Sequence, residues 1–162
     1  MQRRDKTNYY LDIAEVVSER GTCIRRQFGA VIVKNDEIIS TGYVGAARGL
    51  KNCCELEFCK REKLQIPSGQ RYEMCRSVHA EQNAVISASR QELLGSRLYL
   101  VCKDYKTGEL TPGTEPCQMC KRVLINAGVD EVYVRDTADT YRKFSVQDWI
   151  DSDDPYADIQ GY

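Results

Sequence analysis

The chain's single histidine, His79, has Glu81 two residues after it, and Pro116-Cys117-Gln118-Met119-Cys120 follows further along. One imidazole nitrogen and two thiolate sulfurs are ligand types that suit zinc. Three protein ligands leave the fourth tetrahedral position to water, which distinguishes a catalytic zinc from a structural one. Zinc lowers the pKa of such a water from about 16 to about 7, and a nearby carboxylate can then carry protons. Taken singly, these residues have plainer readings. A C-x-x-C pair serves as a structural zinc knuckle or a redox pair, a helix-start histidine needs no ligand, and Glu81 suits a solvated helix turn. The joint pattern favours an open site, with His79, Cys117 and Cys120 as metal ligands and Glu81 as the catalytic proton carrier.

Helices must deliver these groups. Val78 to Arg90 reads as a helix that offers Ala80, Ala84, Val85 and Ala88 for packing. Cys117 to Ala127 reads as another, ended by Gly128. Cys117 and Cys120 are i, i+3 and share one helix face. Pro116 suits the helix entrance, where a missing N–H costs nothing. The positive end of the helix dipole favours thiolates there. Two helix N-termini aimed at one point bring the three ligands together. Glu81 lies just over half a turn from His79, so it reaches the site only if that first turn sits end-on.

The rest of the chain supplies the frame. Residues 5–20 form an amphipathic helix on Tyr9, Ile13, Val16 and Val17, stopped by Gly21. Phe28 to Val33 and Glu37 to Tyr43 read as a hairpin turning at Asn35-Asp36. Residues 44–77 carry Gly45, Gly49, Pro67, Gly69 and four cysteines, and read as a long irregular insertion. Arg97 to Cys102 and Glu131 to Arg135 are strands, separated by a polar loop at 103–115 that lies beside the site. The alternation favours a three-layer α/β domain spanning residues 1–162. The tail from about 136 is less patterned. Tyr141, Phe144, Val146, Trp149 and Ile150 are expected to pack it onto the body or a neighbouring subunit.

Composition narrows the partners. The 162 residues are 42% hydrophobic with a net charge of −1, which suits a globular domain and argues against polynucleotide binding through a basic face. No apolar run is long enough to span a membrane, and the N-terminus lacks the apolar stretch of a signal peptide. Eight cysteines in such a chain point to metal binding rather than disulfides, and the expected location is cytoplasmic.

H-x-E followed by P-C-x-x-C is a zinc-deaminase signature. The chain resembles the cytidine and deoxycytidylate (dCMP) deaminase family over about residues 20–135. The resemblance rests on Arg25–Val33, Ile39–Tyr43, Arg48-Gly49-Leu50, His79–Ala84 and Pro116–Cys120. It implies a mixed five-stranded sheet with helices on both faces, one catalytic zinc, Glu81 as proton shuttle and a homo-oligomer, commonly a hexamer. It also implies a small nucleotide substrate, with dCMP converted to dUMP and ammonia. Ala30, Tyr43, Val44 and Ala80 fall at substrate-binding positions of the resemblance, and Arg25, Arg26 and Arg48 are candidates for phosphate. One departure stands out: the family's Gly-Tyr-Asn-Gly reads Gly42-Tyr43-Val44-Gly45 here, and valine cannot make the asparagine's hydrogen bond to the nucleotide. Other substrates of the same superfamily (a nucleoside, a modified base or a polynucleotide) and a non-catalytic zinc-stabilised module are the competing readings.

Cys23, Cys53, Cys54, Cys59 and Cys75 lie in or just before the irregular region. Some related deaminases hold a structural zinc near the first three of these positions. A second, thiolate-rich zinc site drawn from these five residues is therefore expected, with reduced unliganded cysteines as the alternative. Cys102 ends an apolar strand and reads as core.

Overall fold

The central strands are buried at consecutive positions, Ala30–Val33, Leu98–Cys102 and Val132–Arg135, because helices cover both faces of the sheet. The computed structural model describes residues 1–157. Its elements are α1 (Lys6–Ser18), β1 (Arg26–Lys34), β2 (Glu37–Tyr43), β3 (Gly45–Ala46), α2 (Cys53–Leu56), α3 (Lys60–Lys63), a 3-10 turn at Tyr72–Met74, β4 (Ser77–Val78), α4 (Ala80–Ile86), α5 (Arg90–Leu93), β5 (Arg97–Asp104), α6 (Gln118–Ala127), β6 (Glu131–Arg135), β7 (Tyr141–Ser145) and α7 (Val146–Asp151). The five-stranded sheet runs β2-β1-β5-β6-β7, with only the β5–β6 pair parallel. This is the expected mixed five-stranded α/β architecture.

One face carries Ala30, Ile32, Leu98, Leu100, Val132 and Val134, packed against Ala80 and Ala84 of α4 and Leu124 of α6. The other carries Val31, Val33, Tyr99, Val101 and Tyr133 against Tyr10, Leu11 and Ala14 of α1. Strand residues therefore alternate between the two cores, as the pleat dictates. Two glycines allow the helices this close. A Cβ on Gly29 would sit 2.2 Å from the Ala14 carbonyl oxygen of α1, and one on Gly42 2.3 Å from the Ala84 nitrogen of α4. Asn35 and Asp36 both take positive φ, 50° and 61°, which is what a two-residue hairpin turn requires.

The structure differs from the expected elements at three places. The helix expected over 78–90 is two helices, because Ser89 starts a new one. Its hydroxyl accepts the Glu92 N–H at 3.3 Å and its own N–H donates to the Glu92 carboxylate at 2.7 Å, a capping box that ends the first helix. The 44–77 stretch is not wholly irregular: α2, α3 and the β3–β4 ribbon organise it. The tail supplies the edge strand β7 and α7, with Val146 buried and Phe144 and Trp149 packed on the α4–α6 core, while Tyr141 and Ile150 stay exposed.

Candidate metal centre

His79 is the residue before α4 and Cys117 the residue before α6, both in extended backbone at helix entrances. The antiparallel β3–β4 ribbon pairs Gly45 with Val78, which places Val44 and His79 side by side at one end of it. Pro116 is fully buried and sets the entry to α6. Further contacts fix α4. The His79 N–H donates to the Gln82 side-chain oxygen at 2.9 Å, Gln82 reaches the Met119 sulfur of α6 at 3.9 Å, and the Asn83 amide donates to the Tyr43 carbonyl at 2.8 Å. The Ser40 hydroxyl donates to the Ala84 carbonyl at 2.7 Å.

The result brings three donors together. His79 Nδ1 lies 3.3 Å from the Cys120 sulfur and 3.6 Å from the Cys117 sulfur, and the donor atoms of the three residues lie within 4.8 Å of one another. One imidazole and two sulfurs at this spacing fit zinc. Without a metal the cluster shares protons. A hydrogen bond from Cys120, with the His79 charge beside it, draws the Cys117 thiol down to about 4. The same bond and burial hold the Cys120 proton in place. Burial opposes protonation of His79, yet bonds to Cys117 and Cys75 push it up to about 10. Metal binding replaces these protons. Glu81, 3% exposed, has its carboxyl pushed up by burial, partly offset by the His79 charge. It interacts with Cys120 yet stands outside the three-donor cluster.

His79, Glu81 and Cys117 line a cavity of about 440 Å³, with Cys120 buried behind them. Arg25, Arg26, Val44 and Ala80 line it, as do Gly113, Thr114 and Glu115 of the 103–115 loop. Ala30 lies buried beneath, in the sheet core. Tyr43 turns its ring outward under Arg20, and Arg48 is exposed; neither lines the cavity. Cys23, Cys59 and Cys75 also line it, and Cys53 is buried within electrostatic reach of all three. Among the described residues these five cysteines form no set of three whose sulfurs all approach within 4.8 Å, and Cys54 is tied by its N–H to the Thr22 carbonyl at 3.1 Å. Cys102 is 1% exposed.

Two lining residues carry no sequence signal. Tyr72 meets His79 edge-on at 4.9 Å, and the Arg61 guanidinium lies over Tyr72 at 4.4 Å. Both sit in a segment without periodicity, where an arginine or tyrosine looks like any other.

Comparison with known proteins agrees with this geometry. The family model of the cytidine and deoxycytidylate deaminase zinc-binding region matches residues 4–136. A deoxycytidylate deaminase of Mycobacterium phage D29 is 32% identical over 136 residues, covering 82% of this chain and 95% of that protein. The deoxycytidylate deaminase of Schizosaccharomyces pombe is 32% identical over 125 residues and 77% of this chain, which spans only 35% of that longer protein. The dCMP deaminase of cyanophage S-TIM5, solved in complex with dCMP and dUMP, is 27% identical with a TM-score of 0.57, covering 83% of this chain and 84% of that one.

Proposed function

The chain belongs to the cytidine and deoxycytidylate deaminase family, and we propose that it hydrolyses the exocyclic C4–N bond of dCMP, giving dUMP and ammonia. One observation carries the reading: a His79-Cys117-Cys120 donor cluster beside a buried carboxylate, at the floor of a cavity of nucleotide size. His79, Cys117 and Cys120 hold a zinc ion, which when bound supplies the Lewis acidity that makes water a nucleophile at neutral pH. Glu81 takes a proton from the attacking water. It passes protons to the ring nitrogen N3 and to the departing amine, so that C4 gains an oxygen and loses ammonia. Burial raises the affinity of Glu81 for a proton, which suits a group that must both accept and donate. Arg25 and Arg26 in the cavity wall suit an anionic substrate, and Val44 presents an apolar surface where the family has asparagine.

The finer readings belong with this one. We read residues 1–162 as one deaminase domain with an insertion at 44–77 and a tail from 136. A second zinc is held by Cys23, Cys53 or Cys54, Cys59 and Cys75, and the electrostatic reach of Cys53 to Cys23, Cys59 and Cys75 supports it; a metal count near two per chain supports that site and a count of one removes it. The protein acts as a homo-oligomer, a hexamer in the family's common form, which solution mass measurement tests. Thiolate ligands need a reducing compartment, which supports a cytoplasmic location.

The test is ammonia release from dCMP, CMP, cytidine, deoxycytidine, their triphosphates, adenosine and short single strands. dCMP is expected to turn over best. No turnover of any cytosine compound by the zinc-loaded protein overturns the reading.

A further inference from the structure

Arg61 is 6% exposed yet lines the cavity. Its Nη2 donates to the carbonyls of Pro67 and Gln70, both at 2.8 Å, and its guanidinium covers the Tyr72 ring. Its Nε–H is buried with no partner. Among the described residues no carboxylate lies within 4.0 Å of it, whereas two of the cavity's other cations are answered, Arg25 by Glu62 at 3.0 Å and Lys121 by Glu115 at 3.4 Å, and the third, Arg26, is exposed to water. A buried cation without an anion is costly, and so is a buried donor without an acceptor. Two carbonyls and a ring face offset part of that cost and leave the Nε–H unused.

We propose that Arg61 binds the phosphate of the nucleotide substrate. The unpartnered Nε–H of a fixed cation is a charge-assisted donor suited to a phosphate oxygen. Tyr72 links Arg61 to the His79 ligand through contacts of 4.4 and 4.9 Å. One end of a nucleotide therefore meets Arg61 while its base meets the zinc and Glu81. The loop carbonyls hold the guanidinium in place before substrate arrives, so little ordering remains to be done on binding. The site would discriminate nucleotide from nucleoside, because a nucleoside leaves the buried cation unanswered. The proposal rests on the reading of the substrate as a nucleotide.

The test uses the zinc-loaded protein with Arg61→Gln and Arg61→Lys. Arg61→Gln is expected to raise KM for dCMP by about 10- to 100-fold, with kcat/KM for deoxycytidine and zinc content unchanged. Arg61→Lys is expected to recover part of the loss. Equal losses on dCMP and deoxycytidine, or loss of zinc, would mean a structural role and overturn the proposal. A second measurement covers a variant that fails to fold. In the unsubstituted protein the Arg61 Nε–H NMR resonance is expected to shift with dUMP and with inorganic phosphate but not with deoxyuridine. No shift with either phosphate overturns the proposal. A phosphate-induced shift in a protein that releases no ammonia would sink the deaminase reading and leave the Arg61 site standing.

Discussion

Glu81 is the residue on which the proposed chemistry turns. It is 3% exposed beside the three-donor cluster, and burial lifts its proton affinity. Glu81→Gln keeps the volume and removes the base. Turnover of dCMP is expected to fall about 10²- to 10⁴-fold, while elemental analysis still finds zinc, because Glu81 is not among the donors. Zinc lost along with activity would make Glu81 a ligand and end its assignment as proton carrier. The clustering of His79, Cys117 and Cys120 is legible in the sequence because few residue types bind zinc and each motif, H-x-E and P-C-x-x-C, is itself short. Arg61 is not. Its role arises only when the chain beyond α3 turns back and brings the Pro67 and Gln70 carbonyls onto the guanidinium, and no local pattern encodes that return.

At the scale of elements, the site depends on where α4 lies on the sheet, and Gly42 sets that. A Cβ there would stand 2.4 Å from the Ala80 carbonyl oxygen and 2.3 Å from the Ala84 nitrogen, backbone atoms that cannot yield without moving the helix. Gly29 plays the same part for α1 on the opposite face, where a Cβ would lie 2.4 Å from the Ser18 nitrogen. Both Gly→Ala variants are expected to lose about 1–3 kcal/mol of stability by overpacking. Their function should differ. Gly42→Ala moves His79 and Glu81 and weakens zinc binding in a competitive chelator titration; Gly29→Ala keeps wild-type zinc affinity. Equal zinc affinity in the two would show that α4 does not set the ligand geometry. The hairpin turn was readable from Asn35-Asp36, since few residues tolerate that backbone. The break between α4 and α5 was masked by Ala84, Val85 and Ala88, which continue a helical pattern, although Ser89 and Glu92 hold the spacing of a capping box. Strand β7 was hidden because, as an edge strand, it buries too little apolar surface to mark itself.

At the scale of the whole molecule, the N-terminal helix is tied to the far end of the sheet by charge. Arg135 of β6 is 1% exposed and reaches Asp12 at 2.8 Å and Glu15 at 2.9 Å on α1. Arg4 holds Asp12 through two bonds of 3.0 Å and Asp139, just before β7, at 2.5 Å. Asp12 therefore joins the chain's start, α1 and the last strands. The Arg4 bonds, with Arg135 adding to them, hold its carboxyl below its ordinary value of 3.8. A carboxylate with a depressed folded-state pKa stabilises the fold above its unfolded value and loses that contribution as pH falls through the folded one. Asp12→Asn is thus expected to be less stable than the parent at pH 7, by about 1 kcal/mol because the carboxylate is half exposed and screened by solvent. The gap should begin to narrow below about pH 4 and close as pH falls through the parent's own lowered Asp12 value. Urea unfolding of both proteins at pH 7, 5 and 3 measures it, and a gap undiminished at pH 3 would rule out the charge network as its source. The sheet stands between this network and the zinc cluster, which lies with α4 and α6 on the other face. Turnover of dCMP at pH 7 by folded Asp12→Asn should therefore equal the parent's, separating what holds this molecule together from what it does.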